Sequence, residues 1–469
     1  MVVILATAGC NGLQATATIT PAVSAGQSAL ATDPAPTAPA GAASAEWPTY
    51  LGSPARNGVS TDTTLSPGNV GTLVPRMHVT LGGPIAAQPI VVGGVAYVGA
   101  WDGYEYAIDL ALGVVRWKTF LGLTTTKACD PNTLGVTSSA TVEDGVVYVG
   151  GGDSNWYALD AATGAVRWKI KVGDNSPKGG LYNWSSPLIW QGSAYIGVAS
   201  NCDEPLVQGQ LLRVDLATHA VTAHFDAVPR GQTGGGIWQT PALDAATQTV
   251  YVTTGNYSQP TSQPLAQSIV ALDATTLKVK SSWQTPPSQS ILDGDWGTTP
   301  SLFTDASGRQ LVGAANKNGL FYAFDRGQLD AGPVWMQRIA IGGGCPDCGE
   351  GSVSTPAFAE GRIFMGGGKA IIAGQARTGF VQAIDPANGA VTWERPFEHA
   401  VMPALTWVHG MVVGGIGPDL VVMSAADGSV LFTAHTGPET YSAPSSAEGM
   451  LFVGSLDGSL WAFGLPAAQ

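Results

Sequence analysis

Charge is scarce in this chain of 469 residues. Lys, Arg, Asp and Glu together make up 12%, about half the usual soluble share. Basic residues are the scarcer kind: 21 Lys and Arg against 34 Asp and Glu leave a net charge of −13. No basic stripe exists to neutralise phosphates, which excludes nucleic acid as a partner. No apolar run reaches the roughly 18 residues of a membrane-spanning helix. Cysteine is rare, with five in the chain. Cys345 and Cys348 are followed by Gly349, where covalent haem attachment requires His. As half of a zinc site this pair lacks a second Cys or His pair nearby, so a local disulfide loop is the alternative expectation. Cys129 and Cys202 lie in neighbouring sequence units and are a candidate second disulfide.

The first ten residues, "MVVILATAGC", are apolar up to Cys10. This stretch resembles the cleavage box of bacterial lipoproteins, in which the Cys is lipidated after export. An ordinary cleaved signal is the alternative. Both imply an exported protein at the cell envelope or beyond it. Residues 11–45 are mostly Ala, Thr, Pro, Ser and Gly with Asp33 as the one charge, the composition of a flexible tether.

What the chain has in abundance is Gly, at 62 residues, and Pro, at 31. They punctuate a repeat. Its fullest copy, residues 138–168, reads "SSATVEDGVVYVGGGDSNWYALDAATGAVRW". Units open at small-residue–Pro steps: Gln88-Pro89, Ser186-Pro187, Thr240-Pro241, Thr299-Pro300, Thr355-Pro356, Met402-Pro403 and Ala443-Pro444, with Ser139-Ala140 in the second. Self-similarity at this period signals stacked supersecondary units. Four short alternating strands per unit make a propeller blade. In the closing segment Asp160 caps its own turn, Gly164 takes positive φ and Trp168 packs between blades. Asp109, Gly113 and Trp117 repeat the set, as do Asp385, Gly389 and Trp393. The last unit stops without its outer strand, and "VPRMHVTLGG" before the first unit is a strand without a partner. The expectation is one all-β domain over 46–466, an eight-bladed β-propeller of four-stranded antiparallel blades, closed by an N-terminal strand that completes the last blade.

Information about activity lies where polar residues break the repeat. Glu204 follows "GVASNCD", Trp238 stands in "GGGIWQTP" and Asn256 ends "VYVTTGN". Asp293 and Asp295 sit in "ILDGDWGTTP", and Lys317 in "GAANKNGLFYAFDR". At these residues the chain resembles the quinoprotein alcohol dehydrogenases, eight-bladed propellers that hold pyrroloquinoline quinone (PQQ) over a bound calcium. "ALDAATGAVRW" is similar to that family's inter-blade Trp-docking motif. The resemblance implies that Glu204, Asn256 and Asp295 bind calcium and that Trp238 stacks beneath the quinone. It further implies that Asp295 is the catalytic base, with Asp293 as the alternative, and that Lys317 hydrogen-bonds the quinone oxygens. These types suit the chemistry. Carboxylate and amide oxygens take a hard divalent cation, an indole supports a flat ring, and a carboxylate accepts a hydroxyl proton. A nearby ammonium favours an electrophilic carbonyl.

The chain also departs from the family. "KACDPNTLG" keeps Cys129 of the family's adjacent cysteines above the quinone, with Ala128 beside it. Leu134 aligns with an Arg that pairs with a PQQ carboxylate, and Ala86 with a Glu before the first blade. A Cys129–Cys202 bridge would cover the same face. Two functions follow. The first is an exported PQQ- and calcium-dependent dehydrogenase of an alcohol or polyol. With no haem motif it passes electrons to a separate carrier. The alternative is a non-catalytic binding or assembly scaffold at the cell envelope. The propeller lipoprotein that helps assemble outer-membrane barrels is of that kind, and lacks this acid–amide–Asp–Lys set.

Overall fold

Alternating Val, Tyr and Ile between Gly and Asp turns fold as short antiparallel strands, because β-branched and aromatic side chains fit a pleated surface. Blade 2 shows the pattern. It comprises Thr141–Glu143, Val146–Gly150, Asn155–Asp160 and Val166–Lys171, ordered from the axis outward. Asp144 and Gly145, both at positive φ (+49° and +72°), make the tight turn between its first two strands. The second strand is buried throughout and the outermost alternates with solvent.

A computed structural model describes residues 45–125, 131, 133–257 and 263–467. Eight such sheets surround an axis. Blade 1 spans residues 90–120, blade 2 141–171, blade 3 188–226, blade 4 242–284, blade 5 301–338, blade 6 357–397 and blade 7 406–435. Blade 8 combines 445–464 with Val74–Thr80, which pairs antiparallel with Ser459–Gly464. The expected closure by an N-terminal strand is therefore present, with Val74–Thr80 as the outermost strand of blade 8.

The repeated Asp–Gly–Trp set locks neighbouring blades. Asp160 Oδ1 accepts from the backbone N–H groups of Ala162 and Thr163 and from the Thr163 hydroxyl. Trp117 of blade 1 donates its indole N–H to Ala161 O in that turn of blade 2, at 3.0 Å. Its ring lies so close to Gly164 (φ +73°) that a Cβ there would sit 2.6 Å from it. Trp335 against Pro386 and Gly389, and Trp393 against Ala425 and Gly428, repeat the contact. Glycine is needed here for the approach of the ring as well as for the turn.

The residues that open the units form a belt around the axis. Gln88 N donates to Ser139 Oγ, Ser139 N to Ser186 Oγ, Ser186 N to Thr240 Oγ1, Thr240 N to Thr299 Oγ1 and Thr299 N to Thr355 Oγ1. Each small hydroxyl thus satisfies a buried N–H of the preceding blade. Met402 and Ala443, at the same position in blades 7 and 8, carry no hydroxyl. Gln88 spans that gap by donating Nε2 to Pro444 O at 2.7 Å.

Residues 45–60, which precede the closing strand, cross the axis at the far end of the inner strands. Their backbone groups bond Glu448 (blade 8), Val91 (blade 1), Val142 (blade 2), Leu243 (blade 4), Leu302 (blade 5), Phe358 (blade 6) and Trp407 (blade 7). Arg56, fully buried, adds blade 3 by donating to Pro187 O at 3.2 Å, and also donates to Pro241 O at 3.1 Å. This segment plugs one end of the axial channel and leaves a funnel open at the other.

Candidate functional site

The funnel holds a cavity of about 430 Å³ with Tyr50 of the plug and the belt residues Ser139, Ser186 and Thr240 in its wall. A second cavity of about 390 Å³ adjoins it and shares Trp184, Cys202, Trp238 and Lys317. Asp203, Asn256, Asp293 and Asp295 line that second space.

Local structure explains how these groups meet. In "DGDWG", Trp296 is fully buried against Trp283, Tyr322 and Phe324. It pairs with Asn316 in an isolated bridge, while Lys317 N donates to Asp295 O at 2.9 Å. The indole thus anchors a loop whose flanking carboxylates face Lys317. Lys317 Nζ lies 2.9 Å from Asp293 Oδ2 and 2.8 Å from Asp295 Oδ2. Asn256 N donates to Asp295 Oδ1. Its side-chain Nδ2 donates to Asp293 Oδ1 at 2.9 Å and to Asp203 Oδ2 at 3.0 Å. A Cβ on Gly255 would stand 2.6 Å from Asp295 Oδ1, so only glycine admits that carboxylate. Lys317 Nζ also sits 5.9 Å from the centre of the half-buried Trp238 ring.

Three carboxylates face one ammonium, an excess of two negative charges. Burial and then the neighbouring Asp295 charge push Asp293 up to about 6 and push Asp203 above the usual carboxylate range. For Lys317, burial works against the charged form, but the Asp295 and Asp293 carboxylates outweigh it and hold the ammonium above its ordinary value. A functional site characteristically carries such under-compensated charge.

Of the residues singled out in the sequence, the structure brings together Trp238, Asn256, Asp293, Asp295 and Lys317. Glu204 is exposed and takes no part in the cluster. Its neighbour Asp203 takes the place expected of it, on a turn where Cys202 and Asp203 are both left-handed (φ +56° and +57°). Two adjacent acids in "NCDEP" were the available signal, and the turn decides between them. Cys129 and Ala128 lie outside the described residues, and with them the Cys129–Cys202 pairing. Ala86 and the buried Leu134 line the axial cavity, so at these two positions its wall is apolar. Cys345 and Cys348 form the local disulfide.

The donor set suits a divalent cation, because Asp203, Asp295 and the Asn256 amide offer hard oxygens in a field of excess negative charge. Among the described residues no three acidic, His or Cys side chains surround a common point, so an ion here depends on the amide as well as on carboxylates. For a flat quinone, the Trp238 face and Lys317 fit. At the clamp positions Ala86 and Leu134, no charge meets a carboxylate of the ligand.

An eight-bladed propeller with an acid–amide–lysine cluster beside an accessible indole, at the open end of a plugged funnel, defines a quinoprotein-type architecture. Comparison with known proteins agrees. Residues 217–335 match the family described as glucose/ethanol/alcohol dehydrogenase, beta-propeller domain, and residues 74–202 and 377–465 match the one described as outer membrane protein assembly factor BamB. A polyvinylalcohol dehydrogenase of Pseudomonas sp is 25% identical over 436 residues, covering 80% of this chain and 66% of that protein. The chain therefore spans slightly less than two thirds of that relative. Among solved structures, the quinohemoprotein alcohol dehydrogenase from Comamonas testosteroni superposes with a TM-score of 0.73 at 21% identity, covering 90% of this chain and 81% of that one. BamB from Moraxella catarrhalis does so at 0.57 and 16%, covering 84% and 99%. The chain is thus built from the PQQ-type repeats of eight-bladed β-propellers, to which the alcohol dehydrogenase and BamB models both match.

Proposed function

We propose that this protein is an exported quinoprotein dehydrogenase that oxidises an alcohol or polyol and passes the electrons to a separate carrier. The observation that carries this reading is the Lys317–Asp293–Asp295–Asn256 cluster beside Trp238. PQQ, when bound, supplies a two-electron acceptor, and the redox chemistry is its own. Trp238 offers the stacking face. Asp203, Asn256 and Asp295 would hold calcium. Asp295, oriented by the Asn256 N–H and by Lys317, accepts the hydroxyl proton of the alcohol. Lys317 would hydrogen-bond a bound quinone's oxygens and favour negative charge there. The polyvinylalcohol and quinohemoprotein dehydrogenases among the relatives support the substrate class and the cofactor. Lipidation at Cys10 would tether the enzyme to the cell envelope.

The scaffold reading draws on one specific observation. The BamB-type match covers residues 74–202 and 377–465, outside the cluster-bearing blades 4 and 5, and Ala86 and Leu134 leave the clamp side uncharged. The discriminating experiment mixes the purified chain with PQQ and calcium, then follows quinone absorbance and dye reduction with a panel of alcohols. Binding at micromolar PQQ with alcohol-dependent turnover is expected. Absence of any absorbance change ends the enzyme reading in favour of the scaffold.

A further inference from the structure

Among the described residues that line the axial cavity, two side chains carry charge: Lys317 and Asp347. Lys317 belongs to the cluster already described. Asp347 has no role there, yet it is held with unusual care. It sits in the one-turn segment Pro346–Cys348, closed by the Cys345–Cys348 disulfide. Gly349, left-handed at φ +79°, donates to Pro346 O at 2.7 Å, and Glu350 N donates to Cys345 O at 3.1 Å. Gly351 N then donates to Ile341 O, and Lys369 N to Gly349 O, which ties the turn to the ends of blades 5 and 6. A turn fixed this way presents an exposed carboxylate without an ordering cost at binding.

The carboxylate has one neighbour of note. Tyr441, entering from blade 8, donates its hydroxyl to Asp347 Oδ1 at 3.1 Å and lines the same cavity. Burial and then the Asp347 and Glu439 charges push the Tyr441 phenol up, so it remains a neutral donor. Asp347 Oδ2 accepts no bond, and no Lys, Arg or His pairs with Asp347, among the described residues. Between this pair and the floor the wall is apolar: Met402, Pro403, Ala404 and Ala443.

We propose that Asp347 and Tyr441 form a second hydroxyl-binding subsite of the funnel, which therefore takes an aliphatic chain bearing at least two hydroxyl groups. The inference rests on the alcohol-oxidising reading and names its substrate class. A free carboxylate oxygen accepts strongly from a hydroxyl and repels an anion. The phenol oxygen, whose O–H is donated to Asp347, still accepts from a further hydroxyl. The Pro403–Ala404 wall covers the carbon chain between hydroxyls. One hydroxyl engages Asp347 while another lies toward Lys317, which this cavity shares with the adjoining one that Asp295 lines.

Pentane-2,4-diol and pentan-2-ol test this, since they share a skeleton and differ by one hydroxyl. The full chain is first incubated with PQQ and calcium, and the quinone absorbance shows whether the cofactor binds. Each alcohol is then titrated by calorimetry. The wild type is expected to prefer the diol by about tenfold, the worth of one hydrogen bond to a charged acceptor. Asp347→Asn should abolish that preference while leaving pentan-2-ol binding and the thermal midpoint unchanged. Tyr441→Phe should weaken the preference partly. Equal binding of the two alcohols by the wild type, or a preference that survives in Asp347→Asn, overturns the subsite while the dehydrogenase reading stands. Failure of PQQ and both alcohols to bind overturns that reading and the subsite with it. Tighter binding of pentan-2-amine than of the diol, lost in Asp347→Asn, would assign Asp347 to a cationic ligand instead.

Discussion

Two buried cations mark the two ends of the axis, and they are satisfied in opposite ways. Arg56, at the plugged end, donates to neutral groups: Pro187 O, Pro241 O, Tyr50 O, Ser53 O and the Thr49 hydroxyl. Its planar fork of five N–H groups fits converging carbonyls, and no carboxylate is among its partners. Lys317, at the open end, faces the carboxylates of Asp293 and Asp295, with Asp203 beyond Asn256. Burial lowers the Arg56 guanidinium to about 9, and its hydrogen-bond partners are all neutral. The second arrangement leaves negative charge over, and burial together with that charge pushes two of its acids up. Arg56 is compensated by backbone carbonyls and a hydroxyl, whereas charge at the mouth is over-supplied by side chains.

The contrast breaks if the two ends exchange roles on mutation. Asp295→Asn should lower the PQQ-dependent dye-reduction rate by about 10²- to 10⁴-fold, while thermal unfolding moves little. Arg56→Ala should do the reverse. Stranding buried carbonyls and emptying the plug should cost about 3 kcal/mol in denaturant unfolding, with calcium affinity at the mouth retained.

The pH dependence sharpens the same comparison. Asp293 is held near 6 in the folded chain, above its ordinary 3.8. A raised acid binds more protons folded than unfolded, so its contribution to stability is present at low pH and is lost as pH rises from about 4 to about 6. The cluster therefore costs stability at neutral pH, which a bound cation returns. Calcium affinity measured by calorimetry should fall as pH drops through about 6, and Asp293→Asn should flatten that profile. The smallest effect belongs to the belt. Ser139→Ala removes the acceptor for Gln88 N and should cost about 1 kcal/mol in unfolding, without touching the mouth.

Much of this molecule is legible in its repeat because the determinants are local. Strand alternation, the Asp144-Gly145 turn and the Asp160–Gly164–Trp168 set each act within one unit or between neighbours. The unpaired "VPRMHVTLGG" had one economical partner. Trp238, Asn256, Asp293, Asp295 and Lys317 stood out because each breaks a pattern that other units keep. Asp203 did not stand out from Glu204, since two consecutive left-handed residues choose between adjacent acids. The plug left no periodic trace in "EWPTYLGSPARNGVS", because its partners are single backbone groups on all eight blades. The residues that open the units were visible as strand starts, but the belt they form was not.

By itself, then, the sequence determined the blade, the ring closure and the set of residues fit for a polar site, all through interactions of short range. Only the tertiary structure decided that residues 45–60 seal one end and that Asp203 joins the cluster. The same holds for Asp347 and Tyr441, 94 residues apart, which share one wall of the funnel. Those outcomes depend on the angle between blades, which exists once the ring has closed and which no segment of the chain encodes alone.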